Sequence, residues 1–185
     1  MRFAVLAEAA LARPDSSVLD VGCGFADLYD WLSARGWRGR YVGIDIVPGL
    51  LAVARTRHPG LTLLDLDLAE AAATTGPHDF VIASGVFNAR LSHGDNREHI
   101  TAALGLMLSM ARIGVMVDFL SADVDFQKEG AWHTDPAWAF RAAKALTRRV
   151  ALRHDYMPFE FALFLHRDDR VSPRNVFLAA EPAAP

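Results

Sequence analysis

The chain of 185 residues has one cysteine, Cys23, so an internal disulfide framework is excluded. Positive charge is not in excess either. The 19 Lys and Arg residues against 22 Asp and Glu leave a formal net charge of -3, which supplies no electrostatic footprint for nucleic acid. No apolar run reaches membrane-spanning length and no charged-then-apolar leader is present, so a soluble cytoplasmic protein with no membrane partner is expected. Repeats and low-complexity tracts are missing, and only "EPAAP", residues 181–185, reads as a loose tail. Apolar residues are what the chain has in quantity. At 52% of the sequence they can fill one good core, and a single domain over 1–180 is expected, with the oligomeric state left open.

The densest signal is "SVLDVGCGFADLYDWL", residues 17–32. Val18, Leu19 and Val21 suit a strand buried on both faces, while Phe25, Leu28, Tyr29 and Leu32 follow the spacing of one helical face that Gly36 can end. Gly22 and Gly24 therefore sit in a strand-to-helix turn. Such a turn at the carboxyl end of a parallel strand admits a ligand to the bare main chain and offers the positive end of a helix. A tight turn with no ligand is the plainer alternative, and a GxG pattern alone does not separate the two.

The rest of the chain alternates strands and helices. "MRFAVLAEAALAR" is expected to be helical, "RYVGIDIV" to be a second strand, and Pro48 to open a helix running to Arg57. "LTLLDLD" and "HDFVIASG" give the third and fourth strands. In "DNREHITAALGLMLSMAR", Ile100, Ala103, Leu104, Met107, Leu108 and Ala111 form a long apolar stripe, and Asp95 and Glu98 are spaced as a capping box. "GVMVDFLS" reads as a fifth strand, "DPAWAFRAAKAL" as a helix, and "RVALRHDY" and "EFALFLHR" as two strands joined at Met157 and Pro158. This order implies a mostly parallel sheet with helices on both faces and a terminal antiparallel hairpin.

With these motifs in this order, the chain resembles the class I S-adenosylmethionine-dependent methyltransferases from about residue 16 onward. The resemblance implies a Rossmann-like, doubly wound α/β fold with a seven-stranded sheet in the order 3-2-1-4-5-7-6. "VLDVGCGFA" is similar to the family's first motif, with Asp20, Gly22 and Gly24 in place, Cys23 inside the loop, and Ala26 where a third glycine is usual. By that likeness the loop wraps the methionine half of S-adenosyl-L-methionine, and Asp20 opposes its ammonium group. Asp45 at the end of "YVGIDI", with Ile46 beside it, matches the acid that accepts from both ribose hydroxyls. Asp67 aligns with the acid facing the adenine amino group, the amide of Leu68 with a ring nitrogen, and Asp65 is the nearby alternative to Asp67. A nicotinamide dinucleotide is disfavoured, because its fingerprint needs glycine where Asp27 stands and usually an apolar residue at Asp20.

The acceptor side is read from "ASGVFNARL", where Ser84 and Gly85 are expected to touch the cofactor and Phe87 and Asn88 the substrate. No (D/N/S)PP(Y/F) tetrad is present, no second cysteine can serve as a nucleophile toward a pyrimidine, and Ser84 does not match the Asp-rich pattern of metal-dependent relatives. No metal is therefore expected. If the acceptor is a hydroxyl, a histidine suits proton removal, and His93 and His133 lie on the two loops that open at the ligand edge. The long link "SADVDFQKEGAWHTDPAW" carries Phe126 and Trp132 and is expected either to act as a lid or to pack on the sheet; Tyr156 is a further acceptor-side candidate. The expectation is direct methyl transfer to oxygen or nitrogen of a small molecule. Protein or RNA methylation and a non-catalytic cofactor-binding partner are the alternatives.

Overall fold

The computed structural model describes residues 1–168; the loose tail and the expected domain end at 180 lie outside them. Seven strands form one sheet: β1 (Val18–Val21), β2 (Tyr41–Asp45), β3 (Thr62–Asp65), β4 (His78–Ala83), β5 (Ala111–Leu120), β6 (Val150–Met157) and β7 (Glu160–His166). Their order is β3-β2-β1-β4-β5-β7-β6, as the family resemblance implies. Strands β1 to β5 pair in parallel, whereas β7 runs antiparallel to both β5 and β6. The order reverses between β1 and β4, and ligands of such sheets bind outside the carboxyl ends at that point.

Each face of the sheet carries its own core. On one side α1 (Arg2–Leu6), α2 (Glu8–Leu11), α3 (Asp27–Ser33) and α4 (Pro48–Arg57) pack through Leu6, Ala10, Leu32 and Leu51 against Val18, Phe80 and Ile82. On the other, α5 (Leu68–Thr74), α6 (Asn96–Met110) and α7 (Pro136–Leu146) pack through Ala71, Ile100, Leu104 and Ala139 against Leu19, Val81 and Val117. Every residue of β1 is buried, as a strand covered on both faces requires. Among the described residues no helix is long and apolar enough to cross a membrane.

Several elements differ locally from the sequence expectation. The first helix is two short ones meeting at Ala7, although the bonds from Ala7 N–H to Phe3 O and from Leu11 N–H to Ala7 O continue across the joint. Phe25 precedes α3 and is exposed, because the turn extends through Ala26 before the helix begins. Gly36 ends that helix as expected: its N–H donates to Ser33 O and the Trp37 N–H reaches back to Leu32 O, with Gly36 at φ +87. The two-sided capping box forms at Asp67 and Glu70; at Asp95 only the acid side is made, toward the Arg97 and Glu98 amides.

Candidate cofactor and acceptor site

After β1 the chain adopts left-handed geometry three times, at Gly22 (φ +67), Gly24 (φ +54) and Ala26 (φ 63). A Cβ on Gly22 would lie 2.6 Å from Val86 Cγ2, so a side chain there requires Val86 to shift; a Cβ on Gly24 would meet nothing within 4 Å. The loop is tied to the end of β2 by the buried Asp45. Its Oδ2 accepts from Gly24 N–H and its Oδ1 from Val47 N–H, both at 2.9 Å. Each oxygen of an ionised carboxylate has a second lone pair, so Asp45 can still accept two further donors.

Beside this turn is a cavity of about 190 Å³, whose walls include Gly22, Asp45, Ile46, Asp67, Leu68 and Val86. Of the two candidate acids at the end of β3, Asp67 lines it and Asp65 does not. Asp67 also caps α5, accepting from Glu70 N–H at 2.8 Å. Phe87 forms part of the same wall and stacks on Phe119, so the structure places it in the core beneath this cavity. Leu66, His99 and Ala103 also line it; His99 is edge-on to Phe87 at 5.9 Å. Asp20 and Cys23 lie behind the cavity rather than in its wall. Tyr41 Oη donates to Asp20 Oδ2 at 2.5 Å, and burial pushes the Asp20 carboxyl up to about 7. Burial likewise pushes the Cys23 thiol up to about 12, which suits a packing role.

Across the sheet's reversal, the end of β4 meets a buried polar network. Asp118, fully buried in β5, accepts from Gly85 N–H at 2.6 Å and Ser84 Oγ at 2.9 Å. Its Oδ2 also lies 3.1 Å from Arg2 Nε. Burial pushes the Asp118 carboxyl up to about 6, while the Gly85, Arg2 and Ser84 contacts pull the other way. Arg2, reaching over from α1, grips both oxygens of the buried Glu160 through Nε and Nη2. The Tyr156 hydroxyl is buried near these charges without a hydrogen-bond partner among the described residues; burial first, then Asp118 and Glu160, raise its pKa.

The link after β5 folds back on the β4 loop. Trp132 N–H donates to Asn88 O, and Asn88 Oδ1 accepts from Leu120 N–H at 2.9 Å. The His133 ring is used twice within the link: Nε2 accepts from Lys128 N–H at 3.2 Å, which leaves Nδ1 to donate to Ser121 O at 2.8 Å. A second cavity, about 590 Å³, lies here between His133, Phe126, Lys128 and Leu120 on one side and Pro158 and Phe159 on the other. Phe126 is 75% exposed at its mouth. Trp132 is instead packed against the core, under the Arg90 guanidinium at 5.2 Å, and His93 is exposed and lines neither cavity.

Comparison with known proteins agrees with this arrangement. A family model described as a methyltransferase domain matches residues 18–108. The Mycobacterium tuberculosis protein Rv1506c, which carries a provisional methyltransferase name, is 33% identical over 156 residues, covering 82% of this chain and 93% of that protein. The chain belongs to the class I S-adenosylmethionine-dependent methyltransferases. Trans-aconitate 2-methyltransferase of Methylobacterium nodulans is 37% identical over 82 residues, 44% of this chain and 31% of that one. The same fold occurs in magnesium protoporphyrin IX methyltransferase of Synechocystis PCC 6803, solved with bound S-adenosylhomocysteine. The TM-score is 0.67 at 20% identity, over 90% of this chain and 80% of the other.

Sequence reading missed four residues of this methyltransferase's ligand edge: Arg2, His99, Asp118 and Glu160. For the two acids a signal was available, since each is a lone carboxylate in an otherwise apolar strand, "GVMVDFLS" and "EFALFLHR". Arg2 and His99 depend on which helix face meets the site, which tertiary packing decides. No group of three or more His, Cys, Asp or Glu side chains among the described residues could hold a metal ion.

Proposed function

We propose that this methyltransferase transfers a methyl group from S-adenosylmethionine to an oxygen or nitrogen of a small molecule held between the β4 loop and the link after β5. The observation that carries this reading is a pair of cavities, one beside the Gly turn and Asp45 with Val86 and Phe87 of the β4 loop in its wall, the other lined by Phe126, Lys128 and His133 of the link after β5. The residues of the first fit the cofactor. Asp45 has two unused lone pairs for the ribose hydroxyls, Asp67 and the Leu68 amide lie where an adenine edge needs an acceptor and a donor, and Gly24 leaves its surroundings clear for the amino-acid half. The bound cofactor supplies an electrophilic methyl on a sulfonium.

The chain's own contribution is alignment and exclusion of water. Asp118 accepts from the Ser84 hydroxyl and the Gly85 amide, which ties the start of the β4 loop to β5. His133 braces the link instead of standing free as a base, because using Nε2 to take a proton would break its bond to Lys128. This reading favours an acceptor that needs no proton removed by His133. The trans-aconitate and magnesium protoporphyrin IX enzymes are named for small-molecule acceptors, which is consistent with this choice. The test is to incubate the protein and labelled cofactor with the small-molecule, protein and RNA fractions of a lysate and read products by mass spectrometry. A low-mass labelled product supports the reading; label found only in protein or RNA overturns it.

A further inference from the structure

We propose that the methyl acceptor is a flat, largely uncharged aromatic ring held between Phe126 and Phe159 in the cavity after β5. At about 590 Å³ that cavity lies within the usual span of small-molecule sites, roughly 300–1,000 Å³. Five of its nine lining residues, Leu120, Val124, Phe126, Pro158 and Phe159, are apolar. The two phenylalanines come from different segments, Phe126 from the link after β5 and Phe159 from the turn between β6 and β7, and they are 75% and 44% exposed. Neither ring belongs to the core on either face of the sheet. One exposed apolar side chain needs no explanation, but two at the same apolar cavity form a patch that a ligand can cover.

Both walls are tied to one residue. Ser121 N–H donates to Phe159 O at 2.9 Å, and Ser121 O accepts from His133 Nδ1 at 2.8 Å, while Nε2 of the same ring takes the Lys128 N–H. The turn that carries Phe159 and the link that carries Phe126 are thereby both joined to the end of β5, which lowers the ordering cost of binding between them. Charge does not select the ligand. Asp123, Asp125 and Lys128 all line the cavity and are all exposed, so water screens each of them, and a polyanion meets two carboxylates for one ammonium. Shape and apolar contact are what remain. A planar ring stacks on a phenyl face or meets it edge-on and gains more than the area that it buries, which a saturated ring of equal size does not. The inference rests on the methyl-transfer reading above, and it narrows that acceptor to an aromatic alcohol or amine.

Ligand-observed NMR titrations on protein loaded with S-adenosylhomocysteine, so that the cofactor site is filled, test the ring site with three probes. These are 2-naphthol, its saturated counterpart decahydro-2-naphthol, and citrate as a polyanion. Wild type should bind 2-naphthol, bind the saturated alcohol several-fold more weakly, and release neither to citrate. The stacking preference alone is worth about two- to tenfold in affinity, so Phe126→Leu, which keeps apolar bulk, should weaken 2-naphthol by that much. Phe126→Ala and Phe159→Ala lose the buried area as well and should weaken it about tenfold or more, with S-adenosylhomocysteine affinity unchanged in all three. Melting curves accompany the variants, and the exposed Phe126 carries the test if Phe159→Ala is unstable. Absence of 2-naphthol binding to the loaded protein, equal affinity for the flat and saturated alcohols, affinity unaltered in Phe126→Ala, or displacement by citrate overturns the proposal while leaving methyl transfer to another small molecule intact. Failure of wild type to bind S-adenosylhomocysteine would instead overturn the methyl-transfer reading on which it rests.

Discussion

Removing the Asp45 carboxylate should damage the protein in two separable ways. In the free protein Asp45 satisfies the amides of Gly24 and Val47, both at 2.9 Å, and it is 7% exposed. Leaving a buried amide unsatisfied costs about 1–3 kcal/mol. Both sites are only part-buried, so the lower half of that range applies, and Asp45→Ala should lose roughly 2–4 kcal/mol in total. For a chain of this size each kcal/mol shifts the melting temperature by about 2–4 °C, giving a drop of roughly 4–16 °C without ligand. The second loss concerns binding. Two ribose hydroxyls donating to the carboxylate contribute about 1.5–3 kcal/mol each, so affinity for S-adenosylhomocysteine should fall at least about a hundredfold by calorimetry at a temperature where the variant is folded. Asp45→Asn retains one acceptor oxygen and should fall between wild type and the alanine variant on both scales. A native melting temperature in Asp45→Ala would refute the clamp, and affinity within threefold of wild type would refute the ribose assignment.

Three further outcomes are expected. Gly24→Val should abolish cofactor binding, because its side chain would enter the room kept clear beside the turn and a β-branched residue resists φ +54; tight binding by a folded variant would place the ligand elsewhere. The Asp20 carboxyl, raised to about 7 by burial, holds its proton in the folded state after the unfolded chain has released it near pH 4, so raising the pH through this window favours unfolding. Asp20→Asn should therefore remove part of the stability loss that wild type shows between pH 4 and pH 7 in denaturant titrations, and equal slopes for the two proteins would contradict the assignment. His133→Ala cuts two ties within the link after β5, so hydrogen exchange over 121–133 should accelerate and methyl transfer should fall more than cofactor affinity; unchanged exchange and turnover would count against a positioning role for the link.

The strands and the first half of the site were legible because short-range pattern determines them. β1 is an apolar run buried on both faces, Pro48 opens α4 where its missing amide matters least, and Gly22 and Gly24 announce left-handed geometry by composition. Strand order became readable only through family resemblance, since periodicity does not say which strand lies beside which. The acceptor side was harder to read for a different reason. Whether His133 faces a ligand or its own loop depends on the Lys128 and Ser121 backbone groups that it happens to meet, and nothing in "EGAWHTDP" distinguishes the two. Trp132 and Phe126 have similar chemistry in sequence, yet one packs on the core and the other stands at a cavity mouth. Arg2 joins Glu160 across nearly the whole chain, a pairing that no local pattern encodes.

The contact of Val86 with the space over Gly22 bears on how such enzymes can be recombined. Val86 leaves the β4 loop and occupies the volume that any side chain at position 22 would need, so the cofactor-side and acceptor-side segments form a matched pair of surfaces. A chimera that imports the β4 loop of a relative to change acceptor choice brings a different residue against the first glycine of the turn. A larger one displaces the backbone that shapes the cofactor cavity, and a smaller one opens a gap in its wall. Grafts that exchange residues 18–26 together with 83–91 preserve the fit, whereas loop-only grafts should first lose cofactor affinity, whatever acceptor they were built to accept.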